Sequence, residues 1–222
     1  MKLRNAPAQS APNSLANIQV ETIDHLGLVA GAIESLNLVK KIDKRLPMAK
    51  DKSEDNAIKV THGERVKAMI INGLGYTTSP LYMTPQFFEN KDVSRLIGKG
   101  VEADHLNDYA LGRTLDAIHA YGTTKLFAEI AFEVAQERNL LGHSVHIDTT
   151  TLLLHGEFAQ AAELAAMAKQ LPAEQSAKLT DMPTPARGYS KAHRHDLNQV
   201  VMSLTVTGKA AMPLWFEALP GN

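Results

Sequence analysis

The amino-acid sequence predicts a mixed α+β protein, with a helical N-terminal domain followed by the start of a small sheet. Apolar residues recur every three or four positions from about Val20 to Leu141, which is the period of a helix. From Gly142 onward, short β-branched segments with apolar residues at alternate positions indicate strands instead. The chain is therefore divided into a flexible tail (1–17), a helical domain (18–141) and a β-rich segment (142–222).

The helical domain contains recognisable helix starts and ends. Leu26–Val39 has apolar residues at helical spacing and Asp24 as the predicted N-cap. Thr61 and Glu64 match a capping box, which predicts a helix that begins at His62 and ends at Gly73 and Gly75. Further helical segments are predicted at Pro85–Glu89, Asp92–Gly98, Asn107–Ala120 and Thr123–Arg138.

Three strands are predicted in the β-rich segment. The first is Ser144–Asp148, and the second, Gln199–Thr207, is apolar on both faces, as in a strand covered on both sides. A helical excursion over Phe158–Lys178, interrupted at Pro172, separates them. The short turn at Gly208-Lys209 predicts an antiparallel hairpin with a third strand over Ala211–Leu219.

Composition sets limits on the class of protein. The 222 residues include 23 Lys and Arg against 24 Asp and Glu, and no Cys. The balanced charge argues against a broadly basic nucleic-acid surface, so any DNA-binding surface has to be a local patch. Neither a signal peptide nor a membrane-spanning apolar run is present in the sequence, which predicts a cytoplasmic protein without membrane contact.

Two segments carry side chains suited to chemistry. Asp148 is placed at the end of the first predicted strand, where a carboxylate can hold a metal or simply start a turn. The run from Gly188 to Asp196 concentrates ionisable residues before an apolar strand, as a functional loop or a solvated one would. His143 and His146 suggest a separate metal site with Asp148, but strand alternation places His143 on the other face.

Together these segments resemble the start of the catalytic core of DDE-type insertion-sequence transposases, specifically the insertion-sequence-four superfamily. The matching motifs are Asp148-Thr149-Thr150-Thr151, the Gly-Tyr-Ser-Lys-x-His-Arg-x-Asp run from Gly188 to Asp196, and the final Pro220-Gly221-Asn222. The helical region resembles the N-terminal domain of one branch of these enzymes.

The resemblance implies an RNase-H-like fold that begins with a three-stranded antiparallel meander. It implies cleavage and joining of DNA at transposon ends, with three carboxylates that hold two Mg²⁺ or Mn²⁺ ions. Asp148 is then the first catalytic carboxylate and metal ligand, and Lys191 and Arg194 contact DNA phosphates. The second Asp and the Glu of the triad have no counterpart in the sequence, so we expect this chain alone to be inactive.

Two other functions remain open at this stage. The helical domain, with its helix pair around Tyr121-Gly122, is compatible with a non-catalytic module that binds transposon-end DNA. The chain is also compatible with a non-functional remnant of a truncated element, which predicts poor solubility because the sheet has an unpaired edge. Beside transposon-end DNA, the partners left open include a second copy of the chain in a homo-oligomer.

Overall fold

The computed structural model describes residues 23–47, 60–75, 79–156, 161–170, 172, 183–189 and 193–221. It confirms the mixed α+β class, with a helical N-terminal part and a small antiparallel sheet. The predicted tail lies outside the described residues. In chain order the elements are α1 (Leu26–Ser35), α2 (Leu38–Arg45), α3 (His62–Gly73), α4 (Thr84–Phe88), α5 (Val93–Leu96), α6 (Asp108–Tyr121), α7 (Thr123–Glu137), β1 (Val145–Leu154), α8 (Ala161–Ala168), β2 (Asn198–Thr207) and β3 (Pro213–Pro220).

The single helix predicted over Leu26–Val39 is in fact two helices. Asn37 has a φ of 51°, a left-handed conformation that interrupts a right-handed helix and that Asn tolerates better than most residues. The prediction of Asp24 as N-cap is also wrong. Asp24 itself has a φ of 47°, and the residue before α1 is His25, whose side chain makes no capping hydrogen bond.

The predicted capping box at the start of α3 is confirmed. The Glu64 backbone N–H donates to Thr61 Oγ1 at 3.1 Å, and the Thr61 N–H donates to Glu64 Oε2 at 2.8 Å. Both groups would otherwise be unpaired donors at a helix N-terminus, so the box fixes where α3 begins. The end of α3 at Gly73 and the break between α6 and α7 at Gly122 also agree with the sequence.

The helices pack around two apolar clusters. The first is formed by α1, α3, α4, α5 and the short 3-10 turn Ala103–Leu106, and its fully enclosed members include Ala68, Ile71, Phe88, Leu96 and Leu106. The second lies between α2 and α7 and contains Ile42, Leu46, Leu126, Ile130 and Val134. Apolar side chains at helical spacing therefore do form the core, as the periodicity predicts.

Ion pairs align α2 with α7 beside the second cluster. Lys41 Nζ lies 3.0 Å from Glu133 and 2.6 Å from Glu137. Arg45 lies 2.9 Å from Glu129 and 2.8 Å from Glu133. Hydrogen bonds from Arg45 and Lys41 lower the pKa of Glu133. Because the Lys41 side chain is only 7% exposed, loss of its partners would leave a buried, unpaired charge.

The three strands form an antiparallel meander in the order β1-β2-β3. Val145 on β1 faces Thr207 on β2, and the tight turn after Thr207 leads to β3, as predicted. The prediction that β2 is covered on both sides is wrong, because most of the strand is only half-buried. The reason is that the sheet packs against the helices mainly through β3.

The sheet meets the helical part at α7. The rings of Phe127 on α7 and Phe216 on β3 lie edge to face, with centroids 4.9 Å apart and an interplanar angle of 78°. A cavity of about 350 Å³ lies beside this contact. Its lining comes from α2, α3, α6, α7 and β3 and includes Ile42, Ile70, Ile118, Phe127, Met212 and Phe216.

Only part of the predicted excursion between β1 and β2 is described. Within Phe158–Lys178 the structure shows α8, and Pro172 lies outside that helix, as expected for a helix-breaking residue. The other residues of that prediction after Gln170 lie outside the described part of the chain. None of the described helices is long and apolar enough to cross a membrane.

Candidate functional site

Asp148 lies near the middle of β1 and not at its end. The prediction of a strand that stops at Asp148 is wrong because the β-branched and apolar residues that follow continue to pair with β2 as far as Leu154, which faces Asn198. Asp148 itself faces Leu204 and is exposed. Because β1 pairs with β2 both before and after Asp148, the backbone of this residue is better fixed than at a strand end.

The Asp148 carboxylate is directed towards the open edge of β1. Gly208 N donates to Ser144 O at 2.9 Å, which makes this a hydrogen-bonded pair of the β1–β2 ladder. By strand alternation Asp148 and Leu204 form another such pair, so the N–H of Thr149 points away from β2. That N–H donates to Asp148 Oδ1 at 2.8 Å. Asp148 Oδ2 has no hydrogen-bond partner among the described residues and is free to accept a ligand.

The histidines predicted as alternative ligands do not gather around this carboxylate. His146 shares a sheet face with Asp148, as predicted, but its Nε2 lies beside Gly208, towards the β2–β3 turn. His143 precedes β1 and is exposed. Among the residues that the structure describes, no three His, Asp or Glu side chains form a group that could hold a metal ion.

The ionisable run before β2 is only partly described. Lys191, a predicted DNA contact, lies outside the described residues. Arg194 makes two hydrogen bonds to the Asp196 carboxylate, at 2.8 and 2.7 Å. These bonds lower the pKa of Asp196 to about 2. Asp196 itself lies in a turn, and β2 begins at Asn198, one residue before the predicted start at Gln199.

The segment just before this run contacts the start of β2 and the Pro-Gly segment at the end of β3. Ala186 and Gln199 exchange two backbone hydrogen bonds, of 3.1 and 2.9 Å, and Gly221 N donates to Thr184 O at 3.3 Å. A Cβ at Gly221 would come within 2.2 Å of Gln199 O, so only glycine permits this approach. Sequence reasoning missed the contact, although the glycine after Pro220 was the one signal of a close backbone approach.

The structure does not bring the Arg194 loop next to Asp148. Asp148 faces Leu204, whereas the loop joins β2 at Asn198, which is six residues away. At 3.4 Å per residue, this corresponds to about 20 Å along the strand. The predicted site residues therefore occupy two separate positions on the sheet.

The second helix of the pair around Gly122 is not free to act as a recognition helix. α7 packs on β3 and α2, and its buried residues include Leu126, Ile130, Ala131, Val134 and Ala135. Packing in the core, the simpler of the two explanations, therefore accounts for α7. α6 is more open, because only Leu111 and Thr114 are buried among its 14 residues.

Fold and site together define a mixed α+β protein in which a helical part carries a three-stranded meander with an exposed carboxylate on its first strand. Residues 18–132, more than half of the chain, match the family described as Domain of unknown function (DUF4277). The chain belongs to this family. A search of curated proteins and a search of solved structures each found no match. The family match ends within α7, so Asp148 and the sheet lie beyond it.

Proposed function

We propose that this chain provides the first part of the catalytic core of a DDE-type transposase, with Asp148 as its first metal-binding carboxylate. The observation that carries the proposal is the exposed Asp148 carboxylate on the first strand of an antiparallel meander, whose Oδ2 has no hydrogen-bond partner among the described residues. The resemblance of Asp148–Thr151, the Gly188–Asp196 run and the Pro220-Gly221 end to the transposase motifs supports it. The RNase-H-like identity of the sheet is part of this proposal.

The donor chemistry at Asp148 fits Mg²⁺ or Mn²⁺. A carboxylate oxygen is a hard ligand, and one accessible oxygen in a fixed position can bind a hard cation in its hydration shell. Two such ions, when held by three carboxylates, activate the attacking oxygen and stabilise the leaving one. Asp148 supplies one of the three carboxylates, at the edge of the sheet where β1 has no neighbouring strand among the described residues.

The remaining roles concern DNA. Transposon-end DNA is the proposed partner, and Lys191 and Arg194 are proposed contacts to its phosphates. Two of the five N–H donors of the Arg194 guanidinium bind Asp196, so a phosphate contact would use its other donors or displace the Asp196 carboxylate. Because this loop lies about 20 Å from Asp148 along β2, it would contact DNA some distance from the cleaved bond.

Paramagnetic broadening by Mn²⁺ tests the metal site on the 222-residue protein. We expect Mn²⁺ to broaden the NMR signals of Asp148 and its β1 neighbours selectively, and Asp148→Asn to abolish that broadening. Glu217→Gln is the matched control, because Glu217 is an exposed carboxylate on β3 whose side chain projects from the opposite face of the sheet. Equal broadening in wild type and Asp148→Asn would refute the metal role.

A second experiment tests the activity in a chain that carries all three carboxylates. There, Asp148→Asn should abolish strand cleavage and leave the binding of transposon-end DNA unchanged. Loss of both cleavage and binding would instead assign Asp148 a role in folding.

A further inference from the structure

Two arginines flank the contact between α3 and α6. The contact itself is a hydrogen bond of 2.9 Å between His62 Nδ1 and Thr114 Oγ1. Arg65 follows His62 by three residues and therefore lies on the same side of α3. Arg113 directly precedes Thr114 on α6. The two guanidinium groups thus belong to neighbouring helices at one junction.

In the described part of the chain neither arginine makes an ion pair, and Glu64, whose charge acts on Arg65, is used to cap α3. The buried Nε of Arg65 has no hydrogen-bond partner among the described residues. The nearby carboxylates are already engaged. Asp43 accepts from Gly63 N at 2.7 Å, and Glu64 caps α3. A buried donor without a partner is rare in proteins and points to an absent ligand.

The pKa shifts at this junction reflect its burial and the closeness of its positive charges. Burial and the charge of Arg113 lower the pKa of Arg65, and the charge of Glu64 opposes this shift; Arg65 remains charged because guanidinium is a very strong base. Burial and Arg65 lower the pKa of His62. The Arg113 guanidinium lies 4.2 Å from the ring centre of Tyr109, a cation–π contact that orients it without using its N–H donors.

We propose that Arg65 and Arg113 together bind a phosphate group. Planar guanidinium groups match phosphate oxygens with paired N–H donors, and an anion between them would relieve their mutual repulsion. The phosphate belongs either to a DNA backbone or to a free phosphate-bearing molecule, since both present the same oxyanion. The site lies in the helical part and does not depend on the activity proposed for Asp148.

The Arg65 and Arg113 site is a local patch of positive charge, which is the only kind of DNA-binding surface that the balanced composition allows. With a formal net charge of −1, the chain has no general excess of positive charge to hold DNA. Much of its cationic charge is neutralised internally, as with Lys41 and Arg45 on α2. Arg65 and Arg113 are charges that the described fold leaves available.

Two binding measurements on the 222-residue protein test the proposal. The first is titration with inorganic phosphate followed by NMR at α3 and α6. The second is fluorescence anisotropy of a short DNA duplex of arbitrary sequence across a range of salt concentrations. Arg65→Gln and Arg113→Gln should each weaken binding about tenfold. For DNA, each should also reduce the slope of log K against log salt by about 0.9 for a lost phosphate contact.

Arg95→Gln is the matched control, because Arg95 on α5 is exposed and has no ion pair among the described residues. Thermal unfolding establishes that each variant folds, and Arg65→Lys replaces Arg65→Gln if the latter does not. Binding of phosphate alone identifies a free phosphate ligand, and binding of DNA identifies the backbone. The proposal is overturned if wild type binds neither, or if Arg113→Gln behaves like Arg95→Gln. Asp148→Asn should leave this binding unchanged, so its outcome is separate from that of the metal site.

Discussion

Phe127 on α7 and Phe216 on β3 join the sheet to the helical part. Truncating each ring to Ala measures how much this contact contributes to the free energy of unfolding. Replacing a fully buried Phe by Ala costs about 3–5 kcal/mol. Both rings here are half-buried, so we expect each of Phe127→Ala and Phe216→Ala to lower the free energy of unfolding by about 2 kcal/mol. For a chain of this size, that corresponds to a decrease in Tm of about 4–8 °C.

A double-mutant cycle separates the ring–ring contact from general loss of apolar surface. An edge-to-face pair contributes about 0.5–1.5 kcal/mol beyond burial, so the double variant should lose that much less than the sum of the single variants. The assay is urea unfolding followed by circular dichroism and by Trp215 fluorescence. Phe132→Ala is the control, because Phe132 is 47% exposed on the same helix. A coupling energy near zero, or an equal loss in the control, would refute the docking of β3 on α7.

Two further outcomes test the loop before β2. The Asp196 carboxyl should titrate with a pKa of about 2 by NMR and return towards 3.8 in Arg194→Gln; any stability from the pair is present above pH 3.8 and is lost as the pH falls through 2. An unchanged midpoint in that variant would contradict the pairing. Gly221→Ala should destabilise the protein by about 1–3 kcal/mol in urea unfolding, because its Cβ would meet Gln199 O. By contrast Gly31→Ala, which meets nothing within 4 Å inside α1, should gain about 0.5–1 kcal/mol. Equal stabilities of the two glycine variants would contradict the close approach at Gly221.

Helix boundaries were predicted correctly where the residues that determine them lie close together in the sequence. The Thr61 and Glu64 capping box is satisfied by residues three positions apart, so the sequence alone determines it. The break at Asn37 was missed because the apolar spacing continues across it. A single residue in the left-handed region changes the direction of the helix without changing the hydrophobic pattern.

The sheet shows the limit of short-range reasoning. The antiparallel arrangement and order of the strands were predictable from alternating apolar residues and from the turn at Gly208-Lys209. The length of β1 was not, because it depends on pairing with β2, which lies about fifty residues later in the chain. The candidate site was predictable only as separate residues. No local pattern reveals that the Arg194 loop lies away from Asp148, or that Arg65 and Arg113 belong to one junction, since both arrangements depend on packing between distant elements.

α7 has a consequence for how this protein can be divided. The two α7 carboxylates that pair with Lys41 on α2 are Glu133 and Glu137, and both lie beyond residue 132, where the family match ends. A fragment cut at that boundary would keep the Lys41 ammonium and lose its partners, and it would also expose the Phe127 ring that β3 covers. The boundary of sequence similarity is therefore not a boundary of cooperative folding. A stable fragment based on residues 18–132 therefore has to include the rest of α7, and it needs another apolar group to cover Phe127 in place of β3.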